Sequence, residues 1–249
     1  MAKAKKKYKR RPKVVAKPQK KPPMPKKTKI IIASVAGALA LAAVLFALLY
    51  DDGSLPVRRV LVGEGASADH KLVVDVPEGE NWLLVNKGTS RKPKYYKLGT
   101  FTMPQGYALD DAFGAGSDEN IRQFHCKPAE EGKLNYVHVQ GVSKPAGEVA
   151  GEARDNYMKF YPESETGDIQ EMTLGGQPIT YFLSKFKTDQ EDGTVQYSQT
   201  MTLYLPARRD NCVLVNIMYD IDSMEDGLAD EEVFALAEEF ISHIALDKE

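Results

Sequence analysis

"TVQYSQTMTLYLP" (Thr194–Pro206), followed by "NCVLVNIMYDI" (Asn211–Ile221), decides the fold of this chain. In the first run Val195, Tyr197, Met201, Leu203 and Leu205 share one face, and Gln196, Ser198, Thr200 and Thr202 share the other. A period of two marks a strand, here with one apolar face and one solvated or weakly covered face. In the second run Val213, Val215, Ile217 and Tyr219 alternate with Cys212, Leu214, Asn216 and Met218. Both sets are largely apolar, which predicts a central strand covered on both faces. Upstream, "QPITYFLSKFK" (Gln177–Lys187) is also strand-like, and Asp192-Gly193 supplies a hairpin turn before Thr194. Earlier strand candidates are "KLVVDV" (Lys71–Val76), "NWLLVN" (Asn81–Asn86), "KYYKLGTFTM" (Lys94–Met103), "NIRQFHC" (Asn120–Cys126) and "KLNYVHVQGV" (Lys133–Val142).

Two helices accompany these strands. Asp230 to Ala245 opens with Asp230, Glu231 and Glu232, which suit the positive end of a helix, and Val233, Ala237, Phe240, Ile241 and Ile244 form one stripe. Ser143 to Phe160 has Ser143 as a cap and Pro145 in its first turn. Its stripe is Ala146, Val149, Ala150, Ala153, Tyr157 and Phe160, weakened by Gly147 and Gly151. The element order predicts an α+β fold, an antiparallel sheet with helices packed on it.

Charge divides the chain. Residues 1–50 carry 14 Lys and Arg and no acid, whereas 51–249 carry 19 Lys and Arg and all 35 acids, so the net of −2 hides a basic end and an acidic body. Ile30 to Tyr50 is a charge-free run of 21 residues, long enough as a helix to cross a hydrocarbon core. The apolar run exceeds the length of a usual signal-peptide core, and Ala-x-Ala pairs fall inside it, so it reads as an uncleaved signal-anchor. The lysines before it and Asp51 and Asp52 after it predict a cytoplasmic N-terminus and an extracytoplasmic C-terminal domain at the plasma membrane. The expected organisation is a basic disordered tail (1–29), a transmembrane helix (30–50), a stalk or extra hairpin (51–93) and an extracytoplasmic domain (94–249). The tail suits contact with anionic lipid. Its Pro22-Pro23-Met24-Pro25 stretch also suits a cytosolic partner, while the single aromatic Tyr8 gives nucleic acid little to stack on. Ala33/Gly37 and Ala36/Ala40 are spacings that allow close helix approach, hence a homodimer through the helix.

The stretch "GTFTMPQGYALDD" (Gly99–Asp111) carries a resemblance. A strand ending in Phe101, Pro104, Gly106 and Tyr107 is followed by a hairpin and a helix. A Gly-containing strand ("TLGGQPITYF"), two long strands and an amphipathic helix come next. Over about 94–246 this layout resembles the PsbP-like (Mog/PsbP) α/β/α sandwich family of the photosynthetic lumen, the nucleus and bacterial envelopes. The resemblance implies a binding or assembly module with an envelope protein partner. No family ligand residue maps onto this chain, and no lipid-attached Cys follows the apolar run.

No catalytic, cofactor-binding or metal-ligating set is read from the residues. An extracytoplasmic location permits a disulfide between Cys126 and Cys212, with two separate buried or half-buried thiols as the alternative. His70, His125, His138 and His243 are scattered, and His125-Cys126 lacks the further ligands a zinc site needs. The acidic run Asp220–Glu232 fails the calcium-loop pattern at Met224 and Glu225. Ser184 and Lys187 match a Ser-x-x-Lys spacing, but on a strand they point to opposite faces. Asp110 and Asp111 read as solvated turn residues. A cell-wall or surface hydrolase with dispersed catalytic residues is the alternative to a binding module.

Overall fold

The computed structural model describes residues 26–49, 51–89, 91–110, 123–130 and 132–247. Residues 1–25 of the basic tail and Asp111 therefore lie outside the described residues, as does the 120–122 part of the strand expected at Asn120–Cys126. The chain divides into two units, Met1–Asp52 and Gly53–Glu249.

In the first unit Lys26–Leu49 forms helix α1. Among the described residues no helix is long and apolar enough to cross a membrane. The transmembrane, single-pass and signal-anchor assignments made for 30–50 are corrected accordingly. They rested on the length of the run and its absence of charge; nine of its 21 residues are Ala, Gly or Ser.

The second unit is dominated by antiparallel sheet. An eight-stranded sheet has the order β5-β6-β7-β12-β11-β10-β8, with β9 also on β10. Its strands are β5 (Tyr107–Leu109), β6 (Gln123–Pro128), β7 (Leu134–Val142), β8 (Glu165–Thr166), β9 (Gln170–Leu174), β10 (Gln177–Asp189), β11 (Val195–Ala207) and β12 (Asn211–Ile221). A three-stranded sheet has the order β13-β4-β3, from β3 (Trp82–Asn86), β4 (Tyr95–Phe101) and β13 (Ile244–Leu246). The hairpin β1 (Val57–Val62) and β2 (Asp69–Val74) is separate. Two further helices are α2 (Ala146–Phe160) and α3 (Asp230–Ser242).

The expected α+β sandwich with packed helices is thereby corrected. Among the described residues strands make up 47% against 22% helix, so sheet outweighs helix two to one. One physical reason lies in residues that show short apolar runs. Leu83 and Val85 of β3 and Leu98 and Phe101 of β4 share one core with Met201, Leu203, Val213, Val215 and Ile217 of the large sheet. The large sheet is thus covered on this face partly by a second sheet rather than by helices alone. Another reason is the C-terminal stripe. The helix expected to reach Ala245 stops at Ser242, and Ile244–Leu246 pairs with Gly99–Phe101 of β4.

α3 lays Val233, Ala237, Phe240 and Ile241 into the same core. Its acidic first turn is as expected, and the Glu232 carboxylate accepts the Ala229 N–H at 3.3 Å. Phe240 meets Phe101 with ring centroids 6.3 Å apart and Tyr107 at 4.9 Å, edge-on. This explains the Phe101–Tyr107 stretch. Phe101 ends β4 in the small sheet and Tyr107 begins β5 in the large one, and both rings close on Phe240. Between them Gly106 turns the chain at a φ of +85°, a conformation costly to any residue with a Cβ.

α2 lies on the opposite face, where Ala146 and Ala150 cover Phe182, Tyr204 and Cys212. Phe160, expected in its buried stripe, is 68% exposed. Pro145 holds the N-cap without a side-chain cap, so Ser143 does not serve there.

Phe240→Ala should lower unfolding free energy by about 3–5 kcal/mol, the cost of deleting a fully buried aromatic side chain. A loss of less than a third of that in denaturant unfolding would show that Phe240 does not join the two sheets.

Candidate functional site

On the α2 face of the large sheet the side chains change from apolar to polar. The register places His125 of β6 opposite His138 of β7, His138 opposite Asn216 of β12, and Asn216 opposite Thr202 of β11. Phe124, Cys126, Val137 and Val139 point the other way into the core, as strand alternation requires. The adjoining row reads Tyr136, Met218, Thr200, Ser184 and Thr166. Thr200, Thr202, Ser184 and Ser198 are all buried, so this polar face is not the solvated one that the alternation of β11 suggests. Ser184, Thr200 and Thr202 find hydrogen-bond partners within the sheet. Thr166 Oγ1 lies 3.0 Å from Ser164 Oγ and 2.8 Å from Ser184 Oγ, and Thr202 Oγ1 donates to Asn216 Oδ1 at 3.4 Å.

The two histidines form a chain. His125 Nε2 lies 2.7 Å from His138 Nδ1, and His138 Nε2 lies 3.0 Å from Gln140 Oε1. The Gln140 oxygen can only accept, so His138 carries its proton on Nε2 and its Nδ1 accepts from His125 Nε2–H. The rings meet edge to face at 4.4 Å, and Tyr136 stands 5.0 Å from His125. Burial is the largest cause that lowers the proton affinity of His125, opposed by Asp110 and reinforced by Lys127. Burial also pushes His138 down to about 4, with the Gln140 bond opposing and His125 reinforcing. Tyr136 is pushed up to about 12, again by burial first. The row is therefore neutral at neutral pH and offers oriented hydrogen bonds rather than charge. It ends at Gln140, which with Asn86, Gln123 and Ser143 lines an open cleft of about 300 Å³.

Asp110, expected to be solvated, has a side chain only 8% exposed and an ion pair to Lys127 at 2.7 Å. His70 sits exposed on β2 and His243 follows α3, and the structure brings neither to the His125–His138 pair. His125 and Cys126 point to opposite faces. Among the described residues no three His, Cys, Asp or Glu side chains gather as a metal site.

Ser184 and Lys187 also lie on opposite sides of β10, with Ser184 in the hydroxyl row and Lys187 paired to Glu163. Ser184 is three strands from β7, roughly 14 Å at ~4.8 Å per strand, beyond the reach of His138. Cys126 and Cys212 are free, buried thiols in separate clusters, Cys126 in the main core and Cys212 under α2. Burial pushes each thiol up to about 12.

The acidic run after β12 holds an internal cation. Lys185 Nζ donates to the carbonyls of Met224 at 3.3 Å and Asp226 at 2.8 Å. Gln199 clamps the same loop, accepting from Leu228 N at 2.9 Å and donating to Leu228 O at 3.4 Å. Gln199 is the one polar residue in the apolar row of β11, and the broken alternation was its only trace in the sequence. No family model and no curated protein matches this chain.

Folded His138 stays neutral down to about pH 4, whereas an unfolded histidine takes its proton near 6.5. The unfolded chain then binds more protons between those values. Stability should be complete above pH 6.5 and fall as pH drops towards 4, by an amount on the order of 3 kcal/mol. Chemical denaturation across that window should show the fall, and His138→Gln should flatten it. Equal slopes in both proteins would contradict the assignment. The thiols should stay unreactive to a thiol reagent in the native protein and both titrate after denaturation without reductant. Titration of neither would reveal a disulfide.

Proposed function

We propose that this chain is a non-catalytic binding or assembly module of the cell envelope, with its folded unit working outside the cytoplasm. One observation carries the reading: among the described residues the paired histidines His125 and His138 and the thiols Cys126 and Cys212 are withdrawn from solvent, and burial favours their neutral states. His138 is driven to about 4 and the two thiols to about 12, far from the range where a general base or nucleophile is useful. The resemblance of about 94–246 to the PsbP-like family, whose members mostly bind or assemble, supports the same reading. The charge division supports a place at a membrane surface. Fourteen cationic residues without an acid in 1–50 favour anionic lipid, and the acids of 51–249 keep the body off it. An envelope protein is the partner expected for the body.

A surface or wall hydrolase is the competing reading. In its Ser–His form it needs a serine within hydrogen-bond reach of a histidine, and Ser184 is too far from His138 to be one. The test is run on the full chain. Cell-wall material and generic ester and peptide substrates should survive incubation unchanged, and the chain should sediment with anionic but not neutral vesicles. Turnover that drops tenfold or more in His138→Phe would overturn the non-catalytic reading. Equal sedimentation with both vesicle types would overturn the lipid contact.

A further inference from the structure

We propose that the outer edge of β10 at residues 186–189 accepts an added strand from an extended basic polypeptide segment. The inference rests on the reading of this chain as a binding module and gives that module its surface.

The geometry begins with hydrogen-bond direction. In an antiparallel sheet the residues of a strand send N–H and C=O alternately to one neighbour and the other. Gly167 N–H donates to Leu183 O at 2.9 Å on the outer side, and Gln190 N–H donates to Thr194 O at 2.8 Å on the β11 side. Odd-numbered residues of β10 therefore face outward. Residues 177–181 are covered there by β9 and residues 184–185 by β8. Among the described residues no strand pairs with 186–189 on that side, so the N–H and C=O of Lys187 and Asp189 form an open edge.

The edge is one wall of a groove of about 300 Å³. The other wall is Phe160, Tyr161, Pro162, Glu163 and Ser164. Tyr161 stacks on Phe186 at 4.4 Å, which ties the apolar wall to the sheet beside the edge. Phe160 stands 68% exposed at the rim, outside the core, with Lys159 Nζ over its ring at 5.5 Å. Strand addition uses these two parts together, main-chain bonds for affinity and a side-chain pocket for selection.

Charge selects the occupant. A lysine on an edge usually blunts it against other strands. Here Glu163 pairs with Lys187 and neutralises it, and an exposed pair costs little to open. What remains in the lining is Asp189, and the exposed residues next to it in the chain are Glu165, Glu191 and Asp192 against Lys159. The excess is acidic, so a segment alternating basic residues with an aromatic or aliphatic anchor fits it.

The probe is a blocked peptide of about ten residues, an ordinary strand with flanks, alternating lysine with valine around one phenylalanine. A glutamate-for-lysine counterpart is the control. With the full chain, the amides of Lys187 and Asp189 should become at least tenfold slower to exchange in the presence of the lysine peptide. Asp189→Pro removes an outward N–H without touching the β11 ladder and should weaken binding tenfold or more. Phe160→Ala alters a side chain outside the core and should weaken it severalfold. Equal or tighter binding of the glutamate peptide, or protection of other amides instead, would overturn the assignment. So would failure of the lysine peptide to bind. If an envelope partner cross-links equally to wild type and Asp189→Pro, the edge is wrong while the binding-module reading stands.

Discussion

The register of β11 against β12 is the constraint on which the rest of the folded unit depends. Eleven consecutive pairs, from Tyr197 opposite Ile221 to Ala207 opposite Asn211, lock these two long central strands together. A slip of one residue would turn Met201, Leu203 and Leu205 out of the core and Thr200 and Thr202 into it. The turn joining the strands holds Arg209 and Asp210 at positive φ, 58° and 52°, with Asn211 Nδ2 donating to Arg208 O at 2.7 Å. That tight connection gives the register little room to move.

Much of this was legible in the residues. Alternation located β10, β11 and β12, and Asp192-Gly193 located a turn in which Gly193 has a φ of +84°. The acidic start and apolar stripe of Asp230–Ile241 located α3. What the sequence could not supply was contact across distance. His125 and His138 are 13 residues apart and adjacent only because β6 and β7 pair in one register. Lys185 reaches carbonyls some 40 residues away. Periodicity says which face a residue occupies but not what lies over that face, and Thr200 was read as weakly covered when it is fully buried. The same gap hid the small sheet, since "NWLLVN" is too short to announce that Leu83 and Val85 complete the main core. The membrane assignment rested on the length and absence of charge of a single run, and among the described residues no helix is long and apolar enough to cross a membrane.

The buried polar face has a physical logic. Replacing Ser184, Thr200, Thr202 and Asn216 by apolar residues would remove desolvation costs, and satisfied buried polar groups are weak evidence of added stability. They do penalise misfolding. A hydroxyl row finds its partners in one register, and a slipped register leaves those hydroxyls unsatisfied among apolar side chains. The His125–His138–Gln140 chain extends the same device along the same face to β7 and β6, which accounts for two histidines held neutral in a place where charge would be costly.

Register also connects the buried row to the open edge. The bond from Gly167 to Leu183 that places odd-numbered backbone groups of β10 outward belongs to the pairing that puts Ser184 against Thr166. β8 is only two residues long, so it covers the edge at 184–185 and stops. The chain between α2 and β8 then passes beside the edge as Phe160–Ser164 instead of pairing with it. A longer β8 would close the edge and bury Phe160's wall. The short strand leaves both exposed, and the hydroxyls of Ser164, Thr166 and Ser184 hold it in place. The polar row inside the sheet thus sets where the edge strand ends, and so where an incoming strand has room to begin.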